Sequence, residues 1–241
     1  RSPPPEDVNI GLEVPLFNIR AIPNPDLRPE TSDGFEAGVR LTGVPVALTA
    51  SVFQTEYSDF IESKVNLGVD PATGVTLFQS QNVAEARIYG AEFDARVDVS
   101  AWSPRLAGWS GRLAGSWIRG DDLTRDVPLN SIDPPRLVLG MRYDAPSTRW
   151  GSELALTAVE AQREVDRSRA DLYRTDGYAT LDWLANVNIT PRLRLNIGLF
   201  NLTDTEYIEW SDVRGRVADD PLVPYYTRAG FNASASLRYD F

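Results

Sequence analysis

The chain has 241 residues and a formal net charge of −10, with neither cysteine nor histidine. The acidic balance argues against a nucleic-acid-binding protein, which normally carries a basic stripe. The two missing residue types exclude disulfide scaffolds, thiolate or imidazole zinc sites and Ser-His-Asp catalysis from what this chain does alone.

Apolar residues recur at every second position over segments of about ten residues, which clusters of Pro, Gly, Asp and Ser separate. No run reaches the roughly 18 consecutive apolar residues of a membrane-spanning helix. This alternation is typical of an all-β, antiparallel transmembrane barrel, although a soluble edge strand shows it too. The predicted strands are 34–41, 46–57, 89–99, 109–117, 136–144, 150–158, 179–189, 192–199 and 228–241.

The third predicted strand, 89–99, alternates between apolar and charged residues. Its polar positions are Glu92, Asp94, Arg96 and Asp98. An Arg or Lys at the midplane of the lipid face costs about 2–4 kcal/mol, and Asp or Glu costs less. We therefore predict that these four side chains face the lumen, where they line a substrate path or pair with a plug and neighbouring strands.

The last predicted strand ends in an apolar series formed by Leu237, Tyr239 and Phe241. A terminal Phe with a Tyr two residues earlier resembles the C-terminal signal that the insertion machinery of the outer membrane recognises. We therefore predict that these three residues form an assembly signal. The six tryptophans are predicted to lie in interfacial girdles, with Trp183 alternatively facing lipid.

The connections between predicted strands alternate in length, and short periplasmic turns with long external loops are typical of outer-membrane barrels. The C-terminus is therefore predicted to be periplasmic. About nine antiparallel strands cannot close on themselves, because an odd number would pair the first and last strands in parallel. We expect the chain to be one part of a barrel. The short connections are 43–45, 103–105, 145–149 and 190–192, and the long ones are 59–80, 119–134, 160–176 and 203–225.

Two motifs near the start of the chain carry a family resemblance. Residues 1–11 read RSPPPEDVNIG and residues 24–30 read NPDLRPE. They resemble the paired FRAP and NPNL motifs of TonB-dependent outer-membrane receptors, in the branch that takes up haem, haemoglobin or siderophores. TSDGFEAG at 31–38, ARIYGAE at 86–92 and NLTDTEY at 201–207 are also similar to this family.

The resemblance implies a plugged barrel of about 22 strands, of which this chain would supply about the last nine. It divides the chain into an extracellular loop segment, 1–31, and a barrel part, 32–241. It implies active import of an iron complex, haem or a ferric siderophore, by loop capture and plug rearrangement. The implied partners are the plug and remaining strands, in the same or a separate chain, the TonB energy-coupling complex, and outer-membrane lipid and lipopolysaccharide. No enzymatic activity, bound cofactor or nucleic-acid partner is expected, and the segment shows no TonB box.

Residues of the two motifs and of the segment between them form the predicted ligand-binding loop, although their Pro and Asn residues are equally suited to folding the loop against the rim. Receptors of this branch often carry a haem-ligating His there, and this chain has none. Porphyrin or siderophore would then be contacted by shape and polar groups. No metal site is predicted. The alternative function is a structural half-barrel of a split receptor whose cargo is not an iron complex. The predicted loop residues are Arg1, Pro3, Arg20, Asn24, Pro25 and Leu27.

Overall fold

The structure is a computed structural model that describes residues 1–168 and 170–241. Most of the described chain forms one sheet, and helices are short. In the described residues, no helix has both the length and the apolar character that crossing a membrane requires.

A small N-terminal segment precedes the main sheet. Its elements are helix α1 (Pro5–Asn9), strand β1 (Leu12–Val14), a 3-10 turn (Pro15–Phe17) and strand β2 (Ile19–Ala21). β1 and β2 pair antiparallel, and β2 then pairs in parallel with the far end of β5, where Ile19 lies opposite Thr76. This parallel pairing lies outside the predicted barrel strands, which pair antiparallel with one another as predicted.

Nine long strands follow and form an antiparallel meander, which confirms the predicted strand number. Successive long strands are neighbours throughout, and a two-residue strand, β7, pairs with the end of β6. The strands are β3 (Thr31–Leu41), β4 (Val46–Val69), β5 (Thr76–Asp98), β6 (Trp109–Asp122), β7 (Val127–Pro128), β8 (Arg136–Asp144), β9 (Trp150–Val159), β10 (Tyr178–Thr190), β11 (Leu193–Phe200) and β12 (Asn232–Tyr239). The helical elements between them are 3-10 turns at Val99–Ala101, Pro104–Leu106 and Val223–Tyr226 and helix α2 (Trp210–Val213).

The register gives the meander one apolar face and one polar face, because residues directly opposite each other on paired strands point to the same side. Leu113 lies opposite Leu139, and Leu139 lies opposite Leu156. The apolar face so defined continues from β3 to β12. Its members are Phe35, Ala37, Val39, Leu41, Val46, Leu48, Ala50, Val52, Ala91, Phe93, Ala95, Val97, Leu113, Trp117, Leu137, Leu139, Met141, Leu154, Leu156, Leu181, Trp183, Ala185, Val187, Leu195, Ile197, Leu199, Ala233, Ala235 and Leu237.

The apolar face is uncovered. Phe35 is 62% exposed, Leu139 50% and Leu237 65%, and no second layer packs on these residues in the described chain. A water-soluble sheet buries its apolar face, whereas a barrel wall turns it toward lipid. The buried apolar cluster lies instead in the loops at one end of the sheet.

The β4–β5 hairpin is much longer than predicted. Beyond Ser58, β4 has lost its partner β3, and before Ala86, β5 has lost its partner β6. Residues 58–85 therefore project past both neighbouring strands by roughly 35 Å, and we call them the outer hairpin. The prediction of a loop over 59–80 is wrong, since only 70–75 form a turn. Strand pairing continues there although the apolar alternation has stopped.

A pair of neighbouring substitutions tests which face meets lipid. We expect Leu139→Arg to destabilise the membrane-inserted protein by about 2–4 kcal/mol, because it places a cation in hydrocarbon. Val138→Arg is the matched control, since Val138 lies on the polar face of the same strand. Urea titration of the folded protein in bilayers measures both, and equal costs would contradict the assignment of the faces.

Candidate functional site at the long-loop end

Three long connections gather at one end of the sheet and pack on one another. Loop 123–135, loop 160–177 and loop 201–231 join β6 to β8, β9 to β10 and β11 to β12. The last two loops share a core of buried side chains, which we call the loop core. Its members are Val165, Leu172, Trp210, Val213 and Val223.

Trp210 is the centre of the loop core. Its ring is 2% exposed, and its indole Nε1 donates a hydrogen bond of 2.9 Å to the carbonyl oxygen of Asn130 in loop 123–135. Asn130 in turn exchanges hydrogen bonds with Asp166 in loop 160–177, one of 2.7 Å and one of 3.3 Å. One indole and one amide thus join all three loops. The prediction of an interfacial position for Trp210 is wrong.

Arg216 joins the N-terminal segment to loop 201–231. Its guanidinium donates to the carbonyl oxygen of Phe17 at 3.1 Å, to Oδ2 of Asp220 at 2.8 Å and to the hydroxyl of Tyr226 at 2.5 Å. It also lies 5.9 Å from the ring centroid of Phe17 and 5.2 Å from that of Tyr226. The Arg216 and Asp220 side chains are 5% and 11% exposed, so this ion pair is sheltered from water.

The second half of the N-terminal segment lies along the outer hairpin. Asn24 Nδ2 donates to the carbonyl oxygen of Ser80 at 2.9 Å, and Asn82 Nδ2 donates to that of Arg28 at 3.0 Å. The buried Glu30 accepts a hydrogen bond of 3.0 Å from the backbone N–H of Ile61. The hairpin therefore acts as the support on which this segment is fixed.

Four of the six residues of the predicted ligand-binding loop form ion pairs or hydrogen bonds within the protein or are buried in it. Arg1 forms an ion pair of 3.4 Å with Glu30, Arg20 one of 3.1 Å with Glu13, and Leu27 is buried. Asn24 holds Ser80 as described, and Pro3 and Pro25 lie in the connecting backbone without a helix or strand. Their contribution to ligand binding stays a prediction.

A cavity of about 240 Å³ lies between the outer hairpin and the loops. Glu62 of β4 lies in its wall and accepts hydrogen bonds from the backbone N–H of Ser131 at 2.9 Å and from its hydroxyl at 2.7 Å. Burial raises the pKa of Glu62 above its ordinary value, and the Ser131 bonds and Arg214 oppose this only in part. Asp122, 2% exposed, caps the backbone N–H groups of Thr124 and Arg125.

The raised pKa of Glu62 predicts a pH-dependent loop. A carboxyl whose pKa is raised in the folded state stabilises it fully below the ordinary value of 4.5, and this contribution is lost as pH rises through the folded pKa. We expect protection of loop 123–135 against hydrogen exchange, corrected for intrinsic rates, to fall as the pH rises above 4.5 and through the raised pKa of Glu62. Glu62→Gln should flatten this profile, and the exposed Glu85→Gln is the control. An identical profile in Glu62→Gln would contradict the assignment.

A second cavity, of about 350 Å³, opens where the polar face meets the loops. Arg136 and Tyr178 enter it from the sheet, and Asp133, Glu209 and Trp210 enter it from the loops. Burial raises the pKa of Asp133, with Glu209 adding to this and Arg214 opposing it. The cavity combines aromatic surface with charges of both signs, which suits a ligand that carries both.

The four charged positions of β5 lie on the polar face, opposite Ser116, Ala114, Arg112 and Ser110 of β6. Asp94 accepts two hydrogen bonds from Arg112, at 2.9 and 2.6 Å, and forms an ion pair of 3.4 Å with Arg96. Asp98 caps the 3-10 turn through Ser100, and Glu92 lines a shallow depression beside Asp94. That this face lines a lumen stays a prediction.

The predicted assembly residues end the edge strand β12. Leu237 lies on the apolar face opposite Leu195, and Tyr239 lies opposite Leu193. The rings of Tyr239 and Phe241 meet edge to face at 5.1 Å, and Phe241 is fully exposed. Their recognition by an insertion machinery stays a prediction. In the described residues, no three Asp or Glu side chains cluster closely enough to hold a metal ion.

A two-faced meander with its loop layer at one end is the wall of a membrane β-barrel. The family model described as TonB dependent receptor-like, beta-barrel matches residues 1–202. The chain therefore belongs to this family, whose members are transport receptors of the outer membrane.

Known proteins similar to the chain include two that are named for hemoglobin and haptoglobin. The probable hemoglobin and hemoglobin-haptoglobin-binding protein 4 of Haemophilus influenzae is 27% identical over 254 residues, covering 96% of this chain and 25% of that protein. Hemoglobin-haptoglobin utilization protein B of Neisseria meningitidis is 28% identical over 242 residues, covering 89% and 29%. The chain spans about a quarter of the length of these curated relatives.

Solved structures confirm the fold. The copper transporter OprC superposes with a TM-score of 0.72 at 19% identity, over 90% of this chain and 31% of that one. The siderophore receptor PirA from Acinetobacter baumannii superposes with a TM-score of 0.65 at 19% identity, over 92% and 33%.

Proposed function

We propose that residues 32–241 form a wall sector, and residues 1–31 an extracellular segment, of a receptor that imports an iron complex across the outer membrane. The observation that supports this most directly is the asymmetry of the sheet. Its apolar face is bare along nine strands, whereas ordered loops and two cavities lie over one end only. A wall with a binding layer at a single end suits a receptor that captures its ligand on one side of a membrane.

The long-loop end is proposed to face outward. Three of the four connections at the other end are turns of two to five residues, at 42–45, 145–149 and 191–192, which is typical of the periplasmic side of outer-membrane barrels. The fourth, predicted as a short connection at 103–105, is longer and spans 99–108 with two 3-10 turns. Because β12 runs toward this end, the C-terminus would be periplasmic. Lipopolysaccharide and phospholipid would then cover the apolar face.

The proposed cargo is haem or a ferric siderophore. The Haemophilus influenzae relative is named for binding hemoglobin and hemoglobin-haptoglobin, and the Neisseria meningitidis relative for hemoglobin-haptoglobin utilization, which supports the haem branch. The chain has no histidine, so its own residues would hold a porphyrin through aromatic and polar contacts rather than through imidazole ligation. Tyr178 and Arg136 at the second cavity offer such contacts.

The proposed mechanism involves no covalent chemistry by this chain and no resident cofactor. Loops at the outer end would hold the cargo, and a plug inside the barrel would rearrange when TonB supplies energy from the inner membrane. Plug, remaining strands and TonB are thus the proposed partners. A ligand biases such a rearrangement only by binding one state better than the other.

Growth on defined iron sources tests the proposal. In iron-chelated medium, a strain lacking the gene should fail to grow on haem or hemoglobin, or on one ferric siderophore, and the complemented strain should recover. Growth on excess ferric salt is the control for general fitness. If deletion leaves growth on every one of these iron sources unchanged, the iron-import function is wrong.

A further inference from the structure

The floor of the second cavity is a row of side chains on the polar face of four neighbouring strands. Arg136 of β8 lies opposite Val159 of β9, and Val159 lies opposite Tyr178 of β10. Ser116 of β6 lies opposite Arg136 on its other side. All four residues line the cavity of about 350 Å³. Because neighbouring strands are about 4.8 Å apart, the backbones at Arg136 and Tyr178 are separated by roughly 10 Å. A guanidinium group and a phenol therefore flank an apolar position where the sheet meets the loops.

The hydroxyl group of Tyr178 has no protein partner. It makes no hydrogen bond with any residue in 1–168 or 170–241, although the side chain is half-buried. Its ring is held by Tyr207 of loop 201–231, which stacks on it at 4.1 Å between centroids and 24° between planes. Thr205 anchors this part of the loop, because its hydroxyl donates a hydrogen bond of 3.0 Å to the carbonyl oxygen of Ala179. The phenol ring is thus fixed, while its oxygen remains open to a ligand.

The guanidinium group of Arg136 also has no partner in the described part of the chain. It forms no hydrogen bond there and no ion pair within 4.0 Å. Of the two carboxylates in the cavity wall, Glu209 pairs with Arg228 at 3.0 Å, and Asp133 lies beyond 4.0 Å from Arg136. A carboxylate of a ligand can therefore pair with Arg136 without displacing an ion pair of the protein.

Tyrosine is the residue type through which this chain can ligate haem iron. Haem iron in proteins is held by His, Cys, Met or Tyr. The chain has neither His nor Cys, and its one methionine, Met141, lies on the apolar face. Three tyrosines lie on the apolar face as well, and the hydroxyl of Tyr226 is bonded to Arg216. Tyr178 combines a position in a cavity wall with an unpaired hydroxyl. The three apolar-face tyrosines are Tyr89, Tyr143 and Tyr239.

Haem matches the two ends of the row. It is flat, carries its iron at the centre of the ring and has two carboxylates at one edge. A phenol and a guanidinium group on either side of an apolar floor suit the iron and a carboxylate of one such molecule. The half-buried Val159 and Ile118 supply apolar surface in the same cavity. A ferric siderophore surrounds its iron with its own oxygens, so it leaves no position for a protein ligand.

We propose that the second cavity seats ferric haem, with the hydroxyl oxygen of Tyr178 as ligand to the iron and Arg136 as partner of one haem carboxylate. The inference rests on the proposed function and selects haem over a ferric siderophore as the cargo. A reversible iron–oxygen bond forms, a water molecule leaves the iron, and the phenol proton passes to solvent. The iron stays ferric throughout. Tyr207 is a positioning residue, because its ring holds that of Tyr178.

Haem titration of the full-length receptor tests the iron ligand. In the unmodified receptor we expect the visible spectrum and the electron paramagnetic resonance signal of ferric haem bound through a tyrosinate. Y178F should remove both signatures and lower the affinity for haem about 100-fold, the upper end of the cost of losing a group that supports a metal ligand. The affinity for iron-free protoporphyrin should stay unchanged, because only the iron needs the oxygen. Y225F is the control, since Tyr225 is 77% exposed and lies outside the cavity.

Two results would overturn this assignment. The first is an identical haem spectrum in Y178F and in the unmodified receptor. The second is an equal loss of affinity for haem and for protoporphyrin, which would show that the ring of Tyr178 packs on the ligand without ligating iron. A receptor that binds a ferric siderophore but no haem would overturn the inference and leave the proposed function standing.

The carboxylate contact is tested with haem whose two carboxylates are esterified. We expect R136Q to lower the affinity for haem about three- to fivefold, roughly the loss of one exposed ion pair. The affinity for the dimethyl ester should not change. R112Q is the matched control, because Arg112 on the same face is already paired with Asp94 at 2.6 Å. Equal losses for haem and for its ester in R136Q would contradict the pairing of Arg136 with a carboxylate.

Discussion

Trp210→Ala is expected to release the external loops while the barrel wall stays folded. The substitution removes a ring that is 2% exposed and packs among Val165, Leu172, Val213 and Val223. Truncation of a buried Trp costs about 3–5 kcal/mol. It also leaves the carbonyl oxygen of Asn130 without its indole donor. The loop core should therefore open far more often than in the unmodified protein.

Hydrogen exchange measures this opening. At about 1.4 kcal/mol per tenfold, exchange of amides in 160–168 and 210–217 should accelerate by roughly two to three orders of magnitude. Strands β8 and β9 should keep their protection. Trp102→Ala is the control, because Trp102 is 64% exposed at the short-turn end. Loss of protection throughout the sheet, or no change in the loops, would show that the loop core is not an independent unit.

Arg216→Met is expected to detach the N-terminal segment from loop 201–231. The substitution removes three hydrogen bonds and leaves the 11% exposed Asp220 without its cation. Breaking a buried ion pair from one side costs about 3–5 kcal/mol, because the remaining charge stays desolvated. Exchange should accelerate at residues 17–21 and 216–226 together, since this guanidinium and the stacking of the Phe17 and Tyr226 rings at 5.1 Å join the two segments.

Two further variants separate charge from packing. Arg216→Met combined with Asp220→Leu should cost less than Arg216→Met alone, because replacing both partners removes the uncompensated carboxylate. Arg228→Met should cost below about 1 kcal/mol, since Arg228 pairs with Glu209 and Asp212 at the surface. If Arg228→Met proved as damaging as Arg216→Met, burial would not be the reason for the effect.

The sequence predicts the wall of the barrel because the alternation of apolar and polar residues along each strand is a local signal. In β8, Leu137, Leu139 and Met141 alternate with Val138 and Gly140, and the structure places the two series on opposite faces. Strand number and the short turns follow from the same alternation and the Pro- and Gly-containing breaks. Period-two patterning needs no knowledge of distant residues.

The sequence does not predict the outer hairpin, because its residues do not alternate between apolar and polar. Over Ser58–Val69 both faces carry polar residues such as Glu62, Lys64 and Asn66. Outside the membrane neither face must be apolar, so the strand is held by pairing with β5 and by Gly215, whose carbonyl oxygen accepts from Asn66. A contact with a residue 149 positions away cannot be recognised from a short stretch of the sequence.

The residues of the candidate site also fall into two groups, those that the sequence indicates and those that only the structure reveals. Arg1, Asn24 and Leu27 belong to the two motifs, and the structure pairs Arg1 with Glu30, joins Asn24 to Ser80 and buries Leu27. Trp210 and Arg216 were missed, because a loop tryptophan and a loop arginine look alike whether exposed or buried. The burial of Trp210 and Arg216 depends on contacts with segments that are far away in the sequence.

The unbroken register of the wall limits where this chain can change in length. From β6 through β9 every paired position follows the last without a bulge. One amino acid inserted in the middle of β8 would turn every later side chain of that strand to the opposite face. Apolar side chains would then lie on the polar face, and the guanidinium group of Arg142 would lie on the apolar face. The same insertion among the exposed turn residues 71–74 changes the facing of no strand residue in the wall, so an epitope tag belongs in that turn rather than in a wall strand.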